Sequence, residues 1–195
     1  LTGDNSALSG QITIAKTATA NVTAMNNLGS GALGVDGHLT FNDNVNGDLN
    51  NGITGAGQIT LTDNQINVKD EHSGFTGTLT TGDEATWNVS SDAPYDVNYA
   101  LSGTGTVSVD AKGDIALKNV GANDFTGEFA VKGGELALDQ TGFSVLDQAH
   151  VNLAGGEANL TLDGQTLKNL TFNQGAMTLQ KDANGQRSNH LTVSD

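Results

Sequence analysis

Residues 101–138 decide the fold that this sequence predicts, and they read LSGTGTVSVDAKGDIALKNVGANDFTGEFAVKGGELAL. The stretch contains short runs in which two apolar residues flank one polar or small residue, and glycine-rich turns separate the runs. Alternation with a period of two is typical of a β-strand that buries one face. Such short strands are not stable alone, so we expect each one to stack on a similar strand. The runs are Val107/Val109, Ile115/Leu117, Phe129/Val131 and Leu136/Leu138.

Two phrases from this stretch recur in the chain. One has the form G-x-G before a strand pattern, and the other has the form F-x-G or L-x-G. Two phrases that alternate at irregular spacing indicate a solenoid with insertions. The likeness of the two Phe copies predicts that Phe75 and Phe125 occupy equivalent buried positions where a coil turns. The G-x-G copies begin at Gly29, Gly55 and Gly103, and the other copies begin at Leu8, Phe75 and Phe125.

The same alternation continues along the chain, with a strand about every ten residues. Two or three strands per coil give coils of about 20–25 residues, and hence about eight coils at roughly 4.8 Å each. We therefore predict an all-β parallel β-helix over residues 1–195, as a single fragment of a longer solenoid. The Asn- and Asp-rich tract 42–51 is predicted to be an exposed turn, and residues 143–149 have the only helical pattern. The alternative fold is a β-sandwich, for which Asp36-Gly37 is the best hairpin turn.

The composition limits the partners and the chemistry. The chain has 22 acidic and 8 basic residues, for a net charge of −14, which leaves no basic surface for nucleic acid or anionic lipid. It has no cysteine, which removes disulfides and thiol chemistry. No apolar run approaches the length of a membrane span, so we expect no membrane insertion. Disorder is the competing interpretation of low aromatic content and high net charge, but the regular alternation argues against it.

Catalytic and metal-binding patterns are not evident in the sequence. Residues 3–6 read GDNS and lack the nucleophile pattern of a serine protease. Asp36 and His38 lie close in sequence, but a solvated turn explains them. We predict no catalytic residue, no metal site and no cofactor, because the histidines are far apart and no calcium-loop motif is present. The histidines are His38, His72, His150 and His190.

One aromatic group is the candidate binding site. Trp87, Tyr95 and Tyr99 lie close together in the sequence, and aromatic faces stack on sugars and anchor protein interfaces. Trp87 and Tyr99 share the parity of their apolar neighbours, so we expect both to point into the rod. Tyr95 follows Pro94, and we expect it to be exposed.

The recurrent phrases, the GALGV segment at 31–35 and the terminal NHLTVSD resemble bacterial autotransporter passenger domains of the pertactin-like and diffuse-adherence types. The resemblance extends over essentially the whole chain. It implies a right-handed parallel β-helix that is exported across two membranes and attached to an outer-membrane translocator barrel. The signal sequence and the barrel of such proteins are not among these residues.

The resemblance implies a rigid rod on the bacterial cell surface, or released from it, that acts in adhesion, cell–cell aggregation or biofilm formation. Its partners would be a second copy, or a host-surface protein or glycan. Two alternatives stay open. The first is a glycan-processing β-helix enzyme whose catalytic coils lie outside this piece, and the second is an inert stalk that spaces a distal binding domain from the membrane.

Circular dichroism tests the predicted fold class. Far-UV spectra should be dominated by β-structure, because no stretch of the sequence supports more than one or two helical turns. A helical content above roughly a fifth would contradict a stack of β-coils, since even ordinary mixed proteins average only about a third.

Overall fold

The fold is described from a computed structural model, which covers residues 1, 3–69, 74–118, 124–138, 146–162 and 167–179. Within these residues there are nineteen strands and one 3-10 turn, Met25–Leu28, and no α-helix. The strands stack in parallel with their counterparts in the next coil and form a β-solenoid of about seven turns. The predicted all-β parallel β-helix is therefore confirmed, with a number of turns close to the eight expected.

The strands form three sheets, and one coil passes through sheets A, B and C in that order. Sheet A contains β1 Ile12–Ile14, β3 Leu33–Val35, β6 Ile53–Gly55 and β9 Gly74–Phe75. Sheet B contains β2 Thr19–Val22, β4 His38–Phe41, β7 Gln58–Leu61, β10 Thr78–Thr81, β13 Ala100–Gly103 and β15 Asp124–Phe125. Sheet C contains β5 Gly47–Leu49, β8 Gln65–Lys69, β11 Thr86–Ser91, β14 Thr106–Leu117, β16 Glu128–Leu138, β17 His150–Leu162 and β18 Asn169–Phe172.

Two further strands extend sheet C around its last corner. β12 (Tyr95–Val97) pairs with the second half of β14, and β19 (Ala176–Leu179) pairs with the second half of β17. The register of β14 on β16 shifts after Val109, so these long strands bend in the middle. Each long strand therefore supplies two sides of its coil.

The core is a set of stacked columns of apolar side chains. In sheet B, Leu39, Ile59, Leu79 and Leu101 lie in register on successive strands, and each is at most 1% exposed. Burying one such side chain contributes about 1.5–3 kcal/mol. The residues between them in the sequence point outward, because successive side chains of a strand alternate between its two faces. The predicted alternating pattern thus becomes one buried column and one outer column per sheet.

The recurrent phrases occupy the corners of the coil. Phe75 lies in register on Gly55 of the preceding coil, and Phe125 lies in register on Gly103. Both glycines have a positive φ, 104° and 96°. In these two pairs the G-x-G phrase lies directly under the F-x-G phrase, and the true repeat is one coil.

The two Phe copies do not occupy equivalent positions, which corrects the sequence prediction. Both are buried, but Phe75 lies at the corner from sheet A to sheet B and Phe125 lies at the corner from sheet B to sheet C. The third pair lies at the corner before sheet A, where Ser30 N donates to the Leu8 carbonyl at 2.8 Å. The same phrase occurs at three corners because at each of them the backbone passes so close to the preceding coil that only glycine, which has no side chain, fits.

Three other local sequence patterns differ, in whole or in part, from the interpretation considered for them. The tract 42–51 contains strand β5, and Leu49 is 1% exposed. Asp36-Gly37 is not a hairpin turn, because it joins β3 in sheet A to β4 in sheet B. Residues 143–145 lie outside the described residues, and residues 146–149 form a turn closed by Ala149 N and the Leu146 carbonyl. Short strands interrupted by polar residues carry too little alternation to be recognised in the sequence.

Buried asparagine amides bind the backbone at the corners. Asn64 is fully buried, and its Nδ2 donates to the carbonyls of Asn42 at 2.7 Å and Val45 at 3.0 Å. Asn51 is 5% exposed, and its Nδ2 donates to the Gly31 carbonyl at 2.6 Å. These amides connect one coil to the one before it where the backbone turns and cannot form a regular ladder.

Replacing Phe125 with alanine tests the corner geometry. Phe125 is 1% exposed, so Phe125→Ala should lower the free energy of unfolding by about 3–5 kcal/mol, the usual effect of emptying a buried Phe site. Phe172→Ala is the control, because Phe172 is 46% exposed and should change stability little. Urea denaturation measures both variants. Equal midpoints for Phe125→Ala and the unsubstituted chain would contradict the burial of this corner.

Candidate contact face

The three aromatic residues predicted as a binding site lie in the core. Trp87 is 2% exposed, and Tyr95 and Tyr99 are each 3% exposed. The inward direction of Trp87 and Tyr99 is confirmed, but the expected exposure of Tyr95 is wrong. The strand β12 begins at Tyr95 itself, directly after the exposed Pro94, so Tyr95 and Val97 share the buried parity.

These aromatic residues make contacts with one another rather than with solvent. The Tyr95 and Tyr99 hydroxyl oxygens are 3.1 Å apart, and the ring centroids of Phe75 and Tyr99 are 5.8 Å apart. Burial raises the pKa of Tyr99 to about 12, against the lowering effect of hydrogen bonds from the Tyr95 and Trp87 side chains. In this fold the group packs the core and presents no surface to a ligand.

The outer face of sheet B is polar and carries no carboxylate or ammonium group over four coils. Thr40, Thr60, Thr80 and Ser102 lie in register on successive strands, so one hydroxyl follows another along the rod at about the 4.8 Å strand spacing. All four are half-buried. We call this surface the threonine face, and its members are His38, Thr40, Gln58, Thr60, Thr78, Thr80 and Ser102.

Side-chain hydrogen bonds join neighbouring coils across the threonine face. His38 Nδ1 and Gln58 Oε1 are 2.9 Å apart, and Gln58 Nε2 donates to Thr80 Oγ1 at 3.1 Å. The contacts connect three coils and hold these side chains in place. The face contains no carboxylate or ammonium group, although the chain carries a net charge of −14.

The two edges of sheet B differ in charge. Because all strands of the sheet are parallel, they all end at the same edge, where turn residues carry four carboxylates. At the opposite edge, the turns that precede β4, β7, β10 and β13 carry one carboxylate, Asp36. We call these edges the acidic edge and the neutral edge. The carboxylates of the acidic edge belong to Asp43, Asp63, Asp83 and Glu84.

The acidic edge borders a shallow depression of about 290 Å³. Asp43 lines this depression together with Thr40, Phe41, Asn42 and Thr62. The carboxylate of Asp63 accepts a hydrogen bond from the backbone N–H of Asn44 at 3.1 Å. Asp43, Asp63 and Asp83 each lie two residues after the end of their strand, so they repeat once per coil along this edge.

Sheet C carries a second polar ladder, which includes charged groups. Asn67 Nδ2 donates to Asp48 at 3.0 Å, and Asn88 Nδ2 donates to the Asn67 side-chain oxygen at 3.1 Å. Farther along the rod, Asn152 Nδ2 donates to Glu128 at 3.0 Å. The side chains of this ladder already donate to and accept from one another, so fewer of their groups can bind a partner. Asp48 and Glu128 also add negative charge to the face.

A Thr–His–Glu series lies on sheet C. His150 Nε2 is 2.7 Å from Thr171 Oγ1, and His150 Nδ1 is 3.6 Å from Glu128 Oε2. Such distances resemble a nucleophile, its base and an orienting carboxylate. However, the strands that carry these residues are paired in register with their neighbours, so their backbone N–H groups form the inter-coil ladder rather than an oxyanion hole. We interpret the series as part of the polar ladder.

Within the described ranges, no group of three His, Cys, Asp or Glu side chains lies close enough to hold a metal ion. His72, His190 and Arg187 lie outside those ranges. Of the helices in the described part of the chain, none combines the length and apolar character needed to cross a membrane.

The threonine face was not identified from the sequence. Its only signal is the polar residue between two apolar ones, as in the QITL of β7, and this pattern is common to all outward strand positions. Register decides which of these positions stack, and register is not visible in one short strand.

Comparisons of the chain with protein-family models, with curated proteins and with solved structures find no match. The resemblance to autotransporter passenger domains therefore stays a prediction. The fold and the surfaces of this chain are the basis for a functional proposal.

The buried Tyr99 predicts a loss of stability at high pH. Its pKa is raised from 10.0 to about 12 in the folded protein, so the unfolded chain loses this proton first. The stabilisation is present below about pH 10 and is lost as the pH rises from about 10 to about 12, with a magnitude of roughly 2–3 kcal/mol. The urea midpoint should fall between about pH 9 and about pH 11.5, and the fall should be larger for the unsubstituted chain than for Tyr99→Phe. Equal losses in the two proteins would contradict the prediction.

Proposed function

We propose that this chain is a surface-displayed passenger segment that associates with copies of itself through the threonine face, and so acts in adhesion, cell–cell aggregation or biofilm formation. The observation that carries the proposal is an uncharged, regular hydroxyl face on a strongly acidic rod. The display on a bacterial surface and the attachment to a translocator barrel come from the resemblance of the sequence.

Charge determines which surface can meet a second copy. Two chains of net charge −14 repel each other, so contact must form where carboxylates are fewest and short-range interactions are most numerous. The threonine face meets both conditions. A host-surface glycan or protein is a second class of partner for the same hydroxyl and amide groups.

The regular repeat allows many weak contacts to form together. One hydrogen bond contributes about 0.5–1.5 kcal/mol net, so a single pair of hydroxyls would not hold two rods. The stacked coils fix four hydroxyls in one column, and the His38–Gln58–Thr80 contacts restrict the neighbouring side chains. Groups that are ordered before binding lose less conformational entropy when they bind.

Glycan cleavage is a second proposal with one observation in its favour. Asp43, Asp63 and Asp83 place carboxylates on three neighbouring coils, and glycosidases use paired carboxylates. Only Asp43 lines the depression at this edge, so the carboxylates do not converge on one sugar ring. Release of reducing ends from acidic or neutral polysaccharides, and its loss in Asp63→Asn, would favour this proposal over self-association.

Salt and pH test the self-association. Raising the salt from 0.01 M to 0.15 M shortens the Debye length from about 30 Å to about 8 Å, which weakens repulsion but hardly affects hydrogen bonds. Lowering the pH towards the sequence pI of about 4.3 neutralises carboxylates and acts in the same direction, and the pH series uses His38→Gln because a protonated imidazole would add charge to the face. Sedimentation should therefore show association that strengthens with salt and with mild acid. Association that weakens with salt would mean that opposite charges hold the contact.

Two matched variants locate the contact. Thr60→Asp introduces a carboxylate in the middle of the threonine face and should abolish association, because its charge would be desolvated there without a partner. Thr54→Asp is the control, since Thr54 lies on sheet A in the same coil and is exposed. It should associate as the unsubstituted chain does. Equal effects of the two variants would exclude the threonine face, and no association in any condition would favour the stalk.

A further inference from the structure

We infer that two copies joined at the threonine face lie parallel, with both rods pointing the same way and equal coils at equal height. The inference rests on the proposed function and specifies the geometry of the contact. It follows from the unequal edges of sheet B.

A closed dimer that buries the threonine face of both copies has two arrangements. In the first, the two-fold axis runs along the rods, so the rods are parallel and the strands of the two faces run in opposite directions. The acidic edge of each copy then faces the neutral edge of the other. In the second, the two-fold axis runs along the strands, so one rod is inverted and the strand directions agree. The acidic edges then face each other. Both arrangements use the same patch on each copy, as isologous interfaces require.

Electrostatics distinguishes the two arrangements. The inverted arrangement opposes Asp43, Asp63, Asp83 and Glu84 to the same four residues of the second copy. Packed sheets lie about 10 Å apart, close to the Debye length of about 8 Å at 0.15 M salt, so this repulsion is only partly screened. The parallel arrangement places the acidic edge opposite the neutral edge. In the turns of the neutral edge, which precede β4, β7, β10 and β13, Asp36 is the one carboxylate. Like charges across an interface select against the wrong pairing.

The parallel arrangement also matches the hydrogen-bonding groups. When the two copies lie at equal height, the column of Thr40, Thr60, Thr80 and Ser102 faces the other column of the second copy. That column contains His38, Gln58 and Thr78. Hydroxyls of one copy thus meet an imidazole, an amide and a hydroxyl of the other. Parallel rods have corresponding ends together, so this closed contact pairs two copies that are displayed on the same surface. Within the proposed function it accounts for pairing on one cell and not for contact between two cells.

Single cysteines test the orientation cleanly, because the chain has no cysteine. Each of four variants carries a single cysteine, and each cysteine lies at a different level of the threonine column. Thr54→Cys on sheet A is the control. In parallel rods each cysteine has its own copy at the same height, so a short bifunctional maleimide should join all four variants to themselves with similar yield. In inverted rods the ends of the column exchange, and Thr40→Cys mixed with Ser102→Cys should give the mixed dimer. The variants are Thr40→Cys, Thr60→Cys, Thr80→Cys and Ser102→Cys.

The outcomes separate the orientation from the function. Self-cross-linking at all four levels, with the Thr40–Ser102 product at the level of the Thr54→Cys control, supports the parallel arrangement. A dominant Thr40–Ser102 product, with little self-cross-linking at those two positions, overturns it while the proposed self-association stands. Association by sedimentation without cross-linking at any of the four positions overturns the arrangement as well. The absence of association by sedimentation overturns the proposed function itself.

Removing the acidic edge tests the cause. The variant that neutralises all four of its acids should gain the Thr40–Ser102 product, because the inverted arrangement is no longer repelled. A matched control removes four carboxylates elsewhere and should keep the parallel pattern. If both variants keep it, the acidic edge does not set the orientation. The edge variant carries Asp43→Asn, Asp63→Asn, Asp83→Asn and Glu84→Gln, and the control carries Asp96→Asn, Asp110→Asn, Asp114→Asn and Glu157→Gln.

Discussion

The close approach of successive coils at the corners is the constraint on which the rest of the structure depends. A Cβ at Gly77 would lie 1.9 Å from the Gly57 carbonyl oxygen, and a Cβ at Gly127 would lie 1.9 Å from that of Gly105. No other residue fits such a contact, because these distances are far below those between real Cβ atoms and oxygen. Glycine at the corners therefore allows each coil to settle directly on the one before it. The parallel register of all three sheets follows from this.

Register converts a one-dimensional repeat into surfaces. Once the coils stack in register, inward residues form apolar columns and outward residues form polar ones, and each sheet has one edge where every strand begins and one where every strand ends. Sheet B collects hydroxyls on its face and carboxylates at one edge because β4, β7 and β10 are followed by acidic turns at the same offset. The functional proposal and the preferred orientation of a second copy both derive from this asymmetry.

The alternation of apolar residues predicted the class of fold, because the period of two is written in each strand. It did not reveal β5, whose Gly47–Leu49 has one large apolar residue, or the burial of Tyr95, which depends on where β12 begins. The recurrence of F-x-G was recognised, but its copies at Phe75 and Phe125 serve different corners. The local sequence shows that a segment forms a corner, but it does not show which corner of the coil the segment forms. The threonine face was not predicted for the same reason, since stacking is a property of several coils.

The central claim is that the threonine face is covered when the protein associates. His38 lies on this face and is exposed, and the half-buried His150 lies on sheet C. Their modification by diethyl pyrocarbonate, followed for each peptide by mass spectrometry in dilute and in associated protein, measures the claim directly. Association should protect His38 and leave His150 as reactive as before, because only His38 lies on the threonine face. Protection of His150 with His38 unchanged would place the contact on sheet C and contradict the account.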